Sequence, residues 1–298
     1  MEAEVRGDVT GIPAISVTAR CLPQAWEKTI LAVWDNGLQI KTQYDKPGDP
    51  PSRDATVMVT VTEPFAEPRI HKNFPGGPTE LESYRQEVIN GIHDDWINPA
   101  EGKWTYTYHQ RLFAYSPINN LHSGDNIQPF TPVDQIRYII DSLSEVSHTR
   151  RAQAITWMPT ADPGTDDPPC LQRIWCRLVE TGGNEFQLNM NSHWRSRDLY
   201  KAWFMNVYAI TELQRIIAEK ISQNTGKKVS VGRYVDICDS LHIYGSYFED
   251  AEKEIGKMRD GNFRERAWET NHPAFKMMTD EARENLAKDP NWYAKPKD

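Results

Sequence analysis

The stretch Pro168-Pro169-Cys170-Leu171-Gln172 and the run Asn191-Ser192-His193-Trp194-Arg195-Ser196-Arg197-Asp198, closed by Asn206, decide how this chain reads. A lone cysteine follows two prolines, an apolar strand-like run follows the cysteine, and a cluster of cationic, hydroxyl and acidic side chains comes next. A thiol attacks carbon as its thiolate, and a nearby cation lowers its pKa from about 8.5 toward neutrality. Cys170 is therefore the candidate nucleophile. The competing view is a small buried hydrophobe, the usual state of an intracellular cysteine.

Working outward, Arg195-Ser196-Arg197-Asp198 is followed eight positions after the aspartate by Asn206, and further on by Leu241-His242-Ile243-Tyr244. In this order and spacing the residues resemble the thymidylate synthase family, with its Pro-Cys nucleophile, Arg-Ser-x-Asp motif, following Asn and His-x-Tyr. Thr149-Arg150-Arg151 and Trp157 look like that family's Ser-Arg-Arg and Trp-Asn elements, so the resemblance runs from about Thr131 to about Glu249. It implies an α+β, three-layer fold with a large mixed sheet at a homodimer interface, and residues 1–298 as one catalytic domain.

The resemblance also implies roles. Arg150 and Arg151 would reach across the dimer to the phosphate of a pyrimidine nucleoside monophosphate, joined by Arg195 and Ser196, since guanidinium forks bind phosphate bidentately. Asn206 would read the pyrimidine edge, where one amide orientation suits uracil and the flipped one cytosine. His242 and Tyr244, alternating on a strand, would face the sugar, and Asp198 the folate pterin. Tyr108-His109-Gln110-Arg111 is a loose counterpart of the family's Tyr-Gly-x-Gln, which puts Tyr108 at the catalytic centre. The general base is a glutamate well before the cysteine. Of Glu80, Glu82 and Glu87, only Glu87 is followed by an apolar pair, while the other two read as helix-start charges. Arg20 is a weak candidate for the N-terminal phosphate arginine. Without the resemblance each has an ordinary reading: a solvated helix end, a core amide, a strand pair.

Composition narrows the class. The 298 residues are 39% hydrophobic and 26% charged, as in a soluble globular protein, and no apolar run approaches the ~20 residues that span a bilayer. Four scattered cysteines without a CxxC pair, and a start lacking signal-peptide character, lead us to expect a cytoplasmic location and no membrane partner. A net charge of −8 argues against binding a nucleic acid polymer. Scattered histidines leave no metal-ligand spacing, and GxGxxG, P-loop and HExxH motifs are missing.

Along the chain, residues 12–17 and 55–61 read as strands and 24–34 as a helix closed by Asp35-Asn36-Gly37. Thr79 would cap a helix through Ile89 with Glu82 in a capping box, and 133–143, 199–221 and 275–287 carry helical spacing. Residues 63–78, with four prolines and two glycines, read as loop, and 227–236 as strand.

These residues suit one-carbon transfer from 5,10-methylenetetrahydrofolate to C5 of a pyrimidine nucleotide. The thymidylate synthases reduce the resulting exocyclic methylene to methyl in a dry site, whereas the related nucleotide hydroxymethylases add water to it. Three departures favour the second outcome. His93, in Ile92-His93-Asp94-Asp95-Trp96, stands where the family has a shielding tryptophan and would leave a polar opening for water. Leu171 replaces the usual histidine after the cysteine, and Ala294 to Asp298 lack the apolar residue that closes over folate. The expectation is a CMP or dCMP 5-hydroxymethylase, CMP preferred, of the kind used in nucleoside-antibiotic pathways. A divergent, short archaeal-type thymidylate synthase and a catalytically idle nucleotide-binding regulator are the alternatives.

Overall fold

Strand β1 (Ala14–Ala19) leads into helix α1 (Leu22–Asn36), whose Trp26, Ile30 and Val33 recur at helical spacing and are buried. A computed structural model describes residues 11–116 and 131–293. β2 (Leu38–Ile40), β3 (Ser52–Val61) and β4 (Ile70–His71) precede α2 (Gly77–Asn90), and α3 (Tyr108–Phe113) and α4 (Gln135–Glu145) follow. Then come β5 (Gln153–Ile155), β6 (Leu171–Gly182), β7 (Glu185–Trp194), β8 (Arg197–Asp198), the long α5 (Trp203–Thr225) and β9 (Lys228–Ile243). α6 (Phe248–Asp260), β10 (Ala267–Trp268) and α7 (Pro273–Lys288) complete the described chain.

Eight strands make one mixed sheet in the order β1-β3-β9-β7-β6-β5, with β2 on β3 and β8 on β9. The pairs β1·β3 and β7·β9 are parallel and so need crossovers, which α1 and α5 supply. Helices α1, α4 and α5 pack on the sheet, α2 lies on α5, and α7 on α2, giving three layers. The core is continuous from Trp203, Phe204, Leu213 and Ile217 of α5 to Leu188, Met190, Tyr234 and Cys238 of the sheet. Burying each such Leu or Ile contributes roughly 1.5–3 kcal/mol. The fold class is the α+β one that the sequence implied. Among the described residues no helix is long and apolar enough to cross a membrane.

Local details differ from the sequence reading for identifiable reasons. Gly76 occupies the N-cap of α2 without a side-chain cap bond, and Glu82, expected in a capping box, instead accepts from Arg85, Gln86 and Arg283. Gly37 does follow α1 but is extended rather than left-handed. A Cβ there would press on the Val33 carbonyl and the Asp54 backbone, so close approach requires the glycine. The helix expected from Leu199 begins at Trp203, because the Leu199 N–H donates to the His242 carbonyl and the Asp198 carboxylate takes the N–H groups of Tyr200 and Lys201.

One irregularity shapes the site. Between Ala55 and Val57 the β3·β9 register slips, so β9 carries an extra residue there. An extra residue reverses side-chain alternation. Cys238 points into the core, as do Leu241 and Ile243 beyond the bulge, and His242 is thereby turned to the opposite face.

Candidate active site

Cys170 sits immediately before β6, held by backbone rather than by its own side chain. Its N–H and that of Leu171 both donate to the Tyr108 hydroxyl at 3.2 Å, and its carbonyl accepts from the Arg195 N–H at 2.9 Å. The Arg195 guanidinium donates to the carbonyls of Pro169 and Pro168. Arg195, expected on phosphate, thus spends two of its nitrogens bracing the Pro-Pro-Cys corner. Tyr108 opens α3, where Thr107 caps the helix by accepting from the Gln110 N–H.

The thiol itself departs from the expectation of a cation-lowered pKa. Burial pushes the Cys170 thiol above its ordinary range; Arg195 and Arg197 draw it down and Asp167 pushes it further up, and burial wins. The thiolate fraction grows with pH, so a raised pKa places the alkylation limb of Cys170 on the alkaline side of about 8.5. Measured against iodoacetamide, Asp167→Asn should move that limb to lower pH and Arg195→Gln to higher pH. A wild-type limb near neutrality would mean that the cations, not burial, dominate.

Glu87 lies in the last turn of α2, which Gly91 ends in a left-handed conformation; a Cβ there would collide with His109. The chain doubles back, and His93 Nδ1 meets Glu87 Oε2 at 2.8 Å. His93 Nε2 faces the Pro290 carbonyl at 3.1 Å, and the imidazole stacks on Trp96 with centroids 3.8 Å apart. The Trp96 indole donates to Asn291 Oδ1 at 2.6 Å. His93 is 2% exposed. The polar opening expected at His93 is therefore closed, because both ring nitrogens have protein partners and the segment around Pro290 covers the ring. A carbonyl only accepts, so Nε2 is the nitrogen that donates to Pro290. The residues expected to leave the C-terminus open, Ala294 to Asp298, lie outside the described residues.

Glu87 and Tyr108 line one cavity of about 640 Å³ together with Trp104, Tyr106, Thr165 and Asp167. That volume falls within the ~300–1,000 Å³ of small-molecule sites. Tyr106 and Tyr108 are neutral phenols there, their pKa values pushed up chiefly by burial.

Asn206, in the first turns of α5, is buried and its Nδ2 donates to the Tyr84 hydroxyl at 2.7 Å. Tyr84, one turn before Glu87 on α2, has no motif to announce it, and sequence reading missed it. Asp198 and His242 are register partners on β8 and β9, and Tyr244 packs edge-on against the His242 ring at 4.4 Å. Asp198 Oδ1 already takes two backbone N–H groups, and burial raises its carboxyl. Ser196 is half-buried beside Arg195. Arg150 and Arg151, just before β5, expose their side chains and do not join this chain's cavity; Arg20 is paired with exposed Glu63.

Beneath these groups lies a buried polar network that sequence reading also missed. Asp236 accepts from Ser192, Tyr234, Trp203 and Arg197, and the Arg197 guanidinium lies 4.1 Å above the Trp194 ring. Among the described residues no group of three or more His, Cys, Asp or Glu side chains is placed to hold a metal ion.

The sequence profile of the family "Thymidylate synthase" matches residues 77–280, which contain Glu87, Cys170, Asn206 and His242. A protein named "Putative thymidylate synthase" from Methanococcoides burtonii is 26% identical over 239 residues, covering 80% of this chain and 94% of the relative. A protein of the same name from Methanothermobacter thermautotrophicus is 25% identical over 256 residues, covering 81% and 99%. The structure of thermostable thymidylate synthase A from Bacillus subtilis shares the fold with a TM-score of 0.54 at 17% identity, over 79% of this chain and 84% of that one. The chain belongs to the thymidylate synthase family.

Proposed function

We propose that the whole chain acts as one catalytic domain that transfers a one-carbon unit from 5,10-methylenetetrahydrofolate to C5 of a cytidine monophosphate, CMP before dCMP, and completes the reaction with water to give the 5-hydroxymethyl nucleotide. Family membership supports the folate-dependent transfer to a pyrimidine nucleotide. The observation that carries the hydroxymethyl outcome is the Glu87–His93 hydrogen bond, at the position where the family's shielding indole would stand. A carboxylate on the cavity wall, backed by an imidazole, can take a proton from water at the exocyclic methylene.

In this reading Cys170 sulfur bonds to C6, and the displaced π electrons make C5 nucleophilic. C5 bonds to the one-carbon unit as one of that carbon's two bonds to folate nitrogen breaks. Glu87 then removes the C5 proton as the second carbon–nitrogen bond breaks; the electron pair leaves on the folate nitrogen, which takes up that proton, and tetrahydrofolate departs with an exocyclic methylene remaining on the nucleotide. Water then adds to that carbon and gives its proton to Glu87, which is again a carboxylate; the electron pair returns to the ring, and elimination of the thiolate restores the C5–C6 double bond. Tyr108 holds the backbone at Cys170 in place throughout. Asn206 reads the base edge, His242 and Tyr244 hold the sugar, and Asp198 offers its remaining oxygen to the pterin. Arg195 and Ser196, with Arg150 and Arg151 of the partner subunit in a homodimer, bind the phosphate; the exposure of those two arginines supports a role outside their own cavity.

Incubation with CMP or dCMP and methylenetetrahydrofolate should yield tetrahydrofolate without the absorbance rise of dihydrofolate. A second reading, methylation of dUMP, is favoured by the closed packing of His93 under Pro290 and against Trp96, since reduction needs a dry site. Dihydrofolate formed in proportion to a methylated nucleotide would establish that reading instead.

A further inference from the structure

We propose that Asp54 reads the 2′-hydroxyl of the nucleotide sugar, so that the site takes ribonucleotides in preference to 2′-deoxyribonucleotides. The inference rests on the proposed placing of the sugar at His242 and Tyr244.

Asp54 and His242 are directly opposed in the antiparallel β3·β9 pair, and Asp198 flanks His242 from β8. The bulge in β9 turns His242 to the face that Asp54 shares. Both residues are more than nine-tenths buried, and among the described residues each has one polar atom without a partner: Asp54 Oδ1 and His242 Nε2. Their other polar atoms are engaged. Ser240 Oγ donates to Asp54 Oδ2 at 2.6 Å, and His242 Nδ1 lies 3.3 Å from the Ser240 carbonyl. Because a carbonyl only accepts, the hydrogen sits on Nδ1, which leaves Nε2 an acceptor in the neutral ring. Burial, which lowers the His242 pKa against the pull of Asp198 and Asp54, keeps the ring neutral.

Two buried acceptors on neighbouring strands therefore lack donors, a costly arrangement unless a ligand completes it. A ribose presents two adjacent hydroxyls on one face and can donate to both, the 3′ to Nε2 and the 2′ to Oδ1. A 2′-deoxyribose satisfies Nε2 and leaves the Asp54 carboxylate bare. An acidic residue is also the usual reader of a ribose 2′-hydroxyl in dinucleotide sites. Hydrogen bonds to a charged acceptor are worth about 10- to 100-fold in affinity.

The test is calorimetric binding of CMP, dCMP, UMP and dUMP to the full-length protein, which needs no turnover. Wild type should bind each ribonucleotide about 10- to 100-fold more tightly than its deoxy counterpart. Asp54→Asn, nearly isosteric and still able to accept from Ser240, should bring the ratio close to unity by weakening the ribonucleotide alone. A probe that does not depend on the variant's folding is 2′-fluoro-2′-deoxycytidine monophosphate, which cannot donate at the 2′ position and should bind like dCMP. Preference for ribose on both bases without preference for cytosine would support Asp54 while removing the cytosine part of the proposed function. Equal binding of CMP and dCMP to wild type, or a ratio untouched by Asp54→Asn, overturns the proposal and leaves an ordered water as the partner of both acceptors.

Discussion

Cys170→Ala is expected to lower turnover by at least about 10⁴-fold while leaving nucleotide binding nearly unchanged, because the thiolate forms a bond that exists only after binding. No neighbouring side chain offers a substitute sulfur: Cys176 and Cys238 are completely buried in the core, their thiols pushed far up by desolvation. The same residue distinguishes an enzyme from an idle nucleotide-binding regulator. With a 5-fluoropyrimidine nucleotide and methylenetetrahydrofolate, wild type should accumulate a covalent adduct on Cys170, since fluorine cannot leave C5 as a proton does. Intact-mass measurement reads this directly. Product from Cys170→Ala at a rate near that of wild type would sink the nucleophile assignment, and tight nucleotide binding with no adduct would favour the regulator.

The largest structural effect is expected from Asp236. Its carboxylate accepts from Ser192, Tyr234, Trp203 and Arg197, and both partners of the ion pair are almost entirely enclosed. Removing one member of such a pair leaves a buried charge uncompensated, so Asp236→Ala should cost about 3–5 kcal/mol in urea unfolding. Replacing both members with apolar residues of similar volume, Asp236→Leu with Arg197→Met, should cost less than Asp236→Ala alone. Equal stability of Asp236→Ala and wild type would mean that Arg197 finds water on unpairing. The network also touches function, for Trp203 begins the helix that carries Asn206 and Arg197 precedes Asp198. Loss of stability in Asp236→Ala should therefore come with weaker nucleotide binding.

α1, α4 and α5 were legible because Trp26, Ile30, Ile136, Ile139, Leu143, Leu213 and Ile217 repeat at helical spacing, and all are buried. β8, β4 and β10 are two residues long and have no period to read. Cys170, the Arg-Ser-Arg-Asp run and Asn206 were found because they lie close together with a recognisable order. Asp54 and His242 are 188 positions apart in sequence and meet only through strand register. The bulge that puts them on one face breaks the simple alternation that a strand pattern assumes. Tyr84 and Asp236 were missed for a related reason, since a lone Tyr in a helix and a lone Asp in a strand become informative only when their partners are known. An acidic residue within an otherwise apolar strand, as at Asp236, is the one signal that was available. The openness around His93 and the pKa of the Cys170 thiol both depend on enclosure, which residue type, neighbours and motif order do not show.

The most direct measurement is the source of the new oxygen. Run with CMP or dCMP and methylenetetrahydrofolate in water enriched in the heavy oxygen isotope, the enzyme should give a nucleotide heavier than its substrate by one CH₂O unit, with the isotope in the new hydroxyl group and tetrahydrofolate as the other product. A product heavier by one CH₂ unit, carrying no isotope and formed together with dihydrofolate, would contradict the account.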